Sequence, residues 1–214
     1  MIGDSETAAL VSRTGSIDWL WWPRFDSEAG MASLLGGENN GFWRIAPRGE
    51  LCGTCRRYRG DALILETLFK TEEGSVLLVD LMPLRGASSD IVRIVIGKEG
   101  RVPVWSVLDL RFEYGKLRPL IRRVQKHEVS AIAGPHAVVL RSDLPLEVEE
   151  SAITAEHVVG KGEQVSFVLT YFPSHHDIPE PVDPDRALEQ TETFWREWAE
   201  RCTYEGPYRR EVIR

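Results

Sequence analysis

Apolar and polar positions alternate in short runs along most of this chain. Turn residues break the runs at intervals of about 8–12 residues, the spacing of a sandwich or barrel. Residues 7–13 are mostly small and β-branched, Thr14 and Gly15 form a turn dipeptide, and residues 16–21 return, which predicts a β-hairpin. Residues 32–35 have room for one helical turn before Gly36 and Gly37. In 41–47, Phe42, Arg44 and Ala46 alternate with Trp43 and Ile45, a short strand. Residues 55–58 lead into a strand over 62–71. Glu72 to Ser75 are then expected as a four-residue hairpin loop, with 76–82 as the return strand, ended by Pro83. Residues 91–97 alternate as a half-buried strand, Lys98-Glu99-Gly100 is expected to turn, and 102–112 to return. Further strands are predicted over 119–124, 128–133, 137–141, 147–157 and 164–171. No βαβ alternation and no internal repeat interrupts the pattern. The expected fold is all-β: a large, twisted antiparallel β-sandwich (a super-β-sandwich) followed by a C-terminal linker helix.

The period changes after Pro173. SHHDIPEPVDPD is a polar, Pro-rich linker. Asp183 or Asp185 can cap a helix that carries Pro184 in its first turn. In 187–202, Leu188, Thr191, Trp195, Trp198 and Ala199 fall near one helical face, expected to pack. If part of that face is uncovered, weak self-association into a homo-oligomer follows. Residues 203–214 read as the start of another helix. The expected divisions are a sandwich domain over 1–173, a linker with helix over 174–202, and a short segment over 203–214.

Composition narrows the function classes. A net charge of −7 argues against a nucleic-acid partner. No apolar run approaches the ~18 residues that span a bilayer, so no membrane partner is expected. The opening MIGDSETAAL has neither a basic nor an apolar leader region, so no signal peptide is expected. Three cysteines are an odd number, and Cys52-Gly-Thr-Cys55 has no second pair to complete a zinc site. They read as reduced thiols of a cytoplasmic protein. His175-His176-Asp177 lacks a further ligand, so no metal and no cofactor is expected.

The densest chemistry lies at 19–27. Trp19, Trp21 and Trp22 crowd together, Pro23 stops the ladder, and Arg24, Phe25, Asp26 and Ser27 leave it. Two readings stand side by side. The indoles can be core, closed by a proline turn with a surface Arg–Asp pair. Alternatively the loop faces sugar, with Arg24 and Asp26 as polar contacts and Trp22 or Phe25 as the stacking face.

The same stretch carries a resemblance. GDSETAALVSRTGSIDWLWWPRFDS, from Gly3 to Ser27, resembles the opening of bacterial and archaeal glycoside hydrolase family 15 proteins of the glucoamylase/trehalase type. Their N-terminal part typically reads G-x-x-x-T-A-A-L-V-x-x-x-G-S-I-D-W-L-x-x-P-R-F-D-S. Gly41 to Pro47 is similar to the family's G-x-W-x-x-x-P, which implies a structural anchor at Trp43. Arg111 to Gly115 is similar to R-F-D-Y-G, with Glu113 where Asp is usual. Trp195 and Trp198, then Tyr204 to Arg214, resemble W-x-x-W and Y-x-G-x-x-x-x-x-V-x-R. The resemblance implies a β-sandwich, a helical linker and then an (α/α)6 barrel that carries two catalytic glutamates. It covers nearly all of this chain, which is expected to stop as the barrel begins. It therefore implies no catalytic residue here. The implied role is a non-catalytic domain that packs on the barrel of an inverting α-glucoside hydrolase, with a loop near its cleft. The implied partner of the complete enzyme is an α-glucan or a trehalose-type sugar. The rivals are a free-standing carbohydrate-binding module and a purely structural domain.

Overall fold

The computed structural model describes residues 1–213. Fifteen strands, all paired antiparallel, form two layers that share one long strand. The strands are β1 (Ile2–Gly3), β2 (Ala8–Val11), β3 (Ser16–Trp21), β4 (Ala29–Met31), β5 (Phe42–Pro47), β6 (Gly53–Tyr58), β7 (Leu65–Thr71) and β8 (Gly74–Leu81). They continue as β9 (Ser89–Asp109), β10 (Leu120–Gln125), β11 (Glu128–Ala133), β12 (His136–Ser142), β13 (Glu147–Glu149), β14 (Ala152–Gly160) and β15 (Gln164–Pro173). The first half of β9 lies between β8 and β15, in the layer that runs from β6 to β10. Its second half lies between β5 and β14, in the layer that starts with β1, β2 and β3. The fold is the all-β sandwich the alternation predicts, with a C-terminal helix.

Strand β9 corrects one expectation. Lys98 to Gly100 do not turn; β9 runs through them as one strand of 21 residues. The glycines serve close approach instead. A Cβ on Gly97 would sit 1.9 Å from the Gly160 carbonyl, and one on Gly100 1.9 Å from that of Glu73. The β8 register also shifts here, between Ser75 and Val76, so the chain bends without reversing. Two smaller boundaries move as well. Thr71 pairs with Gly74, so the β7–β8 loop is Glu72-Glu73 alone. The run at 147–157 splits into β13 and β14, because Glu150 takes a left-handed φ of 52° and turns the chain.

The core lies between the layers. Ile17, Leu20, Trp43 and Ile45 of the first meet Phe69, Leu78, Leu140 and Leu169 of the second in one apolar cluster. Arg93 crosses it. Its Nε donates to Asp80 Oδ1, its Nη1 to the Trp43 carbonyl and its Nη2 to the Gly15 carbonyl, all at 2.7 Å. The guanidinium also lies 5.0 Å from the centre of the Trp43 ring. Trp43 is fully buried, with Nε1 donating to Ser106 Oγ at 3.1 Å.

Three α-helices complete the described residues: α1 (Ser33–Gly36), α2 (Pro184–Glu200) and α3 (Arg209–Ile213). Asp183 caps α2: its side chain accepts from the Asp185 and Arg186 amides at 3.0 and 3.1 Å. The buried face is Ala187, Thr191, Trp195 and Ala199, at four-residue spacing. It covers Val79, Leu81, Val92, Ile94 and Val168 on the outer side of the second layer. Trp198 was expected on that face but is 49% exposed, because it follows Trp195 by three positions and the seam advances by four.

Candidate functional site

The opening hairpin forms as its pattern predicts, with β3 ending at Trp21. Alternation along a strand sends neighbours to opposite faces. Leu20 and Trp22 are buried, whereas Trp19 and Trp21 are half-buried on the other face. Trp22 is only 1% exposed. Its ring centre lies 5.6 Å from that of Tyr171, and its Nε1 donates to Ser89 Oγ at 3.0 Å. This corrects one expectation: a covered indole offers no face to a sugar, so Trp22 anchors the loop. The Trp22–Pro23 peptide bond is cis.

Arg24, Phe25 and Asp26 project beyond the strand. The Arg24 and Asp26 side chains are 64% and 76% exposed and meet at 3.2 Å, Nε to Oδ1. Phe25 is 54% exposed. The turn is closed locally: the Arg24 amide donates to Ser27 Oγ at 3.1 Å, and the Ser27 amide to the Arg24 carbonyl at 3.0 Å. The Phe25 amide donates to the Glu6 carbonyl at 3.1 Å, tying the loop to the N-terminal segment. Ser5, Glu6, Arg24, Phe25 and Asp26 line an open cleft of about 390 Å³. Of the expected contacts, the structure brings Arg24, Phe25 and Asp26 together at this cleft.

Asp4, whose partners Arg85 and Ser89 are distant in sequence, positions this loop. Its carboxylate is fully buried. Oδ1 accepts from the Glu6 and Thr7 amides at 3.0 and 2.8 Å. Oδ2 accepts from Arg85 Nε and Nη2 at 3.1 and 2.9 Å, and from Ser89 Oγ at 3.1 Å. The same Ser89 oxygen receives Trp22 Nε1. One carboxylate thus fixes Glu6, which holds Phe25, and Ser89, which holds Trp22. Nearby, Asp90 accepts from Thr170 Oγ1 at 2.6 Å, and its burial pushes its carboxyl above the usual aspartate range.

The remaining clusters are less organised for chemistry. Cys52, Cys55 and Cys202 are free thiols, the first two exposed. Among the described residues, no three His, Cys, Asp or Glu side chains gather in metal-binding geometry. No helix among them is long and apolar enough to cross a membrane.

The chain is 26% identical over 226 residues to a trehalase of Thermoplasma volcanium, covering 100% of this chain and 35% of that one. A trehalase of Thermoplasma acidophilum is 29% identical over 96% of this chain and 36% of its own length. Trehalase 1 of Sulfolobus acidocaldarius is 37% identical over 122 residues, 57% of this chain and 20% of that one. The chain therefore spans about a third of the length of the first two of these curated relatives. The trehalase-like N-terminal family model matches residues 1–195, and the chain belongs to that family.

Proposed function

We propose that this chain is the non-catalytic N-terminal part of an inverting α-glucoside hydrolase of the trehalase or glucoamylase type. It supports a catalytic barrel and lends the loop at 24–26 to the barrel's substrate cleft. The observation that carries this reading is the loop itself. A guanidinium, a phenyl ring and a carboxylate stand in solvent at the end of β3, yet their backbone is pinned by the buried Asp4 network. A surface loop with no task has no need of so much anchoring. That the relatives are trehalases, and are longer than this chain, supports the sugar assignment.

In this reading residues 1–173 are the sandwich domain, 174–202 the linker with α2, and 203–214 the opening of the catalytic domain. The final residue of that segment lies outside the described ones. The exposed face at Trp198 packs on the barrel and, in the chain alone, drives weak self-association. Three free thiols support a reducing, cytoplasmic compartment.

The test is direct. The purified 214-residue chain is expected to release no glucose from trehalose or maltotriose. A protein that carries the same sandwich followed by the catalytic part is expected to do so. Glucose release by the chain alone, free of contaminating hydrolase, would overturn the non-catalytic assignment.

A further inference from the structure

On the outer face of the first layer, four aromatic rings stand in a row. Phe25 and Trp21 have ring centres 5.9 Å apart, Trp21 and Trp19 5.3 Å, and Trp19 and Tyr114 6.1 Å. The first three come from β3 and its exit. Tyr114 comes from a separate stretch, 88 positions beyond Asp26, in the R-F-E-Y-G segment.

Considerable structure holds Tyr114 there. Glu113 and Tyr114 both take left-handed φ values, 52° and 58°, which non-glycine residues rarely adopt. Such conformations persist where the surroundings over-determine them and cluster at ligand sites. Here Phe112 and Leu117 exchange backbone hydrogen bonds at 2.9 and 3.0 Å, closing the loop. Asn40 Nδ2 donates to the Tyr114 carbonyl at 3.0 Å. Gly115 accommodates that amide: a Cβ there would lie 2.6 Å from Asn40 Nδ2. Tyr114 so placed is 36% exposed.

We propose that this row is a binding surface for a neutral, twisted oligosaccharide, running from the Arg24–Asp26 pair along β3 to Tyr114. It extends the loop reading above and rests on that reading for its ligand class. Aromatic faces cover the apolar faces of sugar rings, while the Arg24–Asp26 pair at one end supplies donors and acceptors for hydroxyls. Trp19 Nε1 is covered and without an acceptor, a donor that a small ring shift would offer to a sugar hydroxyl. The angles choose the shape of the ligand. Successive planes are tilted by 58°, 73° and 48°. A flat β-1,4-linked chain needs coplanar platforms. An α-1,4-linked chain turns from one residue to the next and can meet tilted ones.

The experiment uses the 214-residue chain, labelled so that tryptophan indole N–H signals are resolved by NMR, and titrated with maltoheptaose and with cellohexaose. Maltoheptaose is expected to shift the Trp19 and Trp21 signals while leaving the buried Trp43 signal unmoved, and to bind about tenfold more tightly than cellohexaose. Phe25→Ala, at an exposed position, and Tyr114→Ala are each expected to weaken binding about tenfold, and Tyr114→Phe to restore most of it. If Tyr114→Ala does not fold, the wild-type shifts and Phe25→Ala decide. Absence of shifts, equal affinity for the two sugars, or unchanged binding in folded variants overturns the proposal. So does loss of the Trp19 response in a protein that carries the catalytic part, which would make the row a domain contact. Each of these results leaves the Arg24 reading untouched, because that reading is tested by kinetics.

Discussion

Arg93 and Arg24 each meet an aspartate, at 2.7 and 3.2 Å, yet one pair is wholly inside the sandwich and the other stands in solvent. Arg93 spends its donors on Asp80 and on two carbonyls that belong to the other layer. Its side chain is fully buried, so none of it faces a ligand. Arg24 gives one bond to Asp26 and keeps the rest of its donors free for one. The tryptophans of the opening divide the same way. Trp22 is sealed against Tyr171, while Trp19 and Trp21, on the opposite face, remain half-open. The same side-chain types build scaffold on one face of β3 and candidate site on the other.

The inner pair is the place to break this comparison hardest. Arg93→Ala leaves the Asp80 charge buried without its partner and should cost about 3–5 kcal/mol in urea unfolding. Replacing both by apolar residues of similar volume should recover most of that loss. A single variant as stable as wild type would mean that Arg93 does not join the layers.

Next in size is Asp4. Asp4→Ala removes the acceptor shared by two amides, Arg85 and Ser89, and should cost about 2–4 kcal/mol. Local exchange separates positioning from general stability. The Phe25 amide, bonded to Glu6, should lose hydrogen-exchange protection before the β9 amides do. Uniform loss across the chain would remove Asp4 from its positioning role.

A smaller effect is set by pH. Burial of Glu66 works to raise its pKa, but hydrogen bonds from Arg57 and Arg59 at 2.7 and 2.8 Å prevail and hold it below the usual glutamate range. A carboxyl lowered on folding stabilises above its unfolded pKa, and that stability is lost as pH falls through the folded value. Arg59→Ala should therefore lose about 1 kcal/mol near neutrality and unfold at a higher pH on acidification. An acid transition that does not move would show that the pair adds nothing.

Much of this architecture was legible in the chain. Thr14-Gly15 and the alternation around it locate β3 to the residue. Asp183 and Pro184 mark the start of α2. What failed did so for physical reasons. Glycine signals both reversal and close approach, and at Gly97 and Gly100 it is approach. Alternation from Leu20 already sends Trp22 inward, a clue that the proline stop and the cluster of indoles obscure. Asp4 finds its partners at Arg85 and Ser89, more than 80 positions away, and no local pattern reports such a pairing. Tyr114 beside Trp19 is hidden in the same way: each is visible in its own motif, and only the fold makes them neighbours.

The smallest expected change in stability accompanies the most direct test. Arg24→Ala removes an exposed ion pair, so it should alter unfolding free energy by ~0–1 kcal/mol. In a protein that carries both this sandwich and the catalytic part, the same substitution removes a charged contact to substrate worth ~1.5–3 kcal/mol. Its kcat/KM should then fall about ten- to a hundredfold while Tm stays within a few degrees. Wild-type kcat/KM in Arg24→Ala would contradict the account and leave the opening loop as scaffold alone.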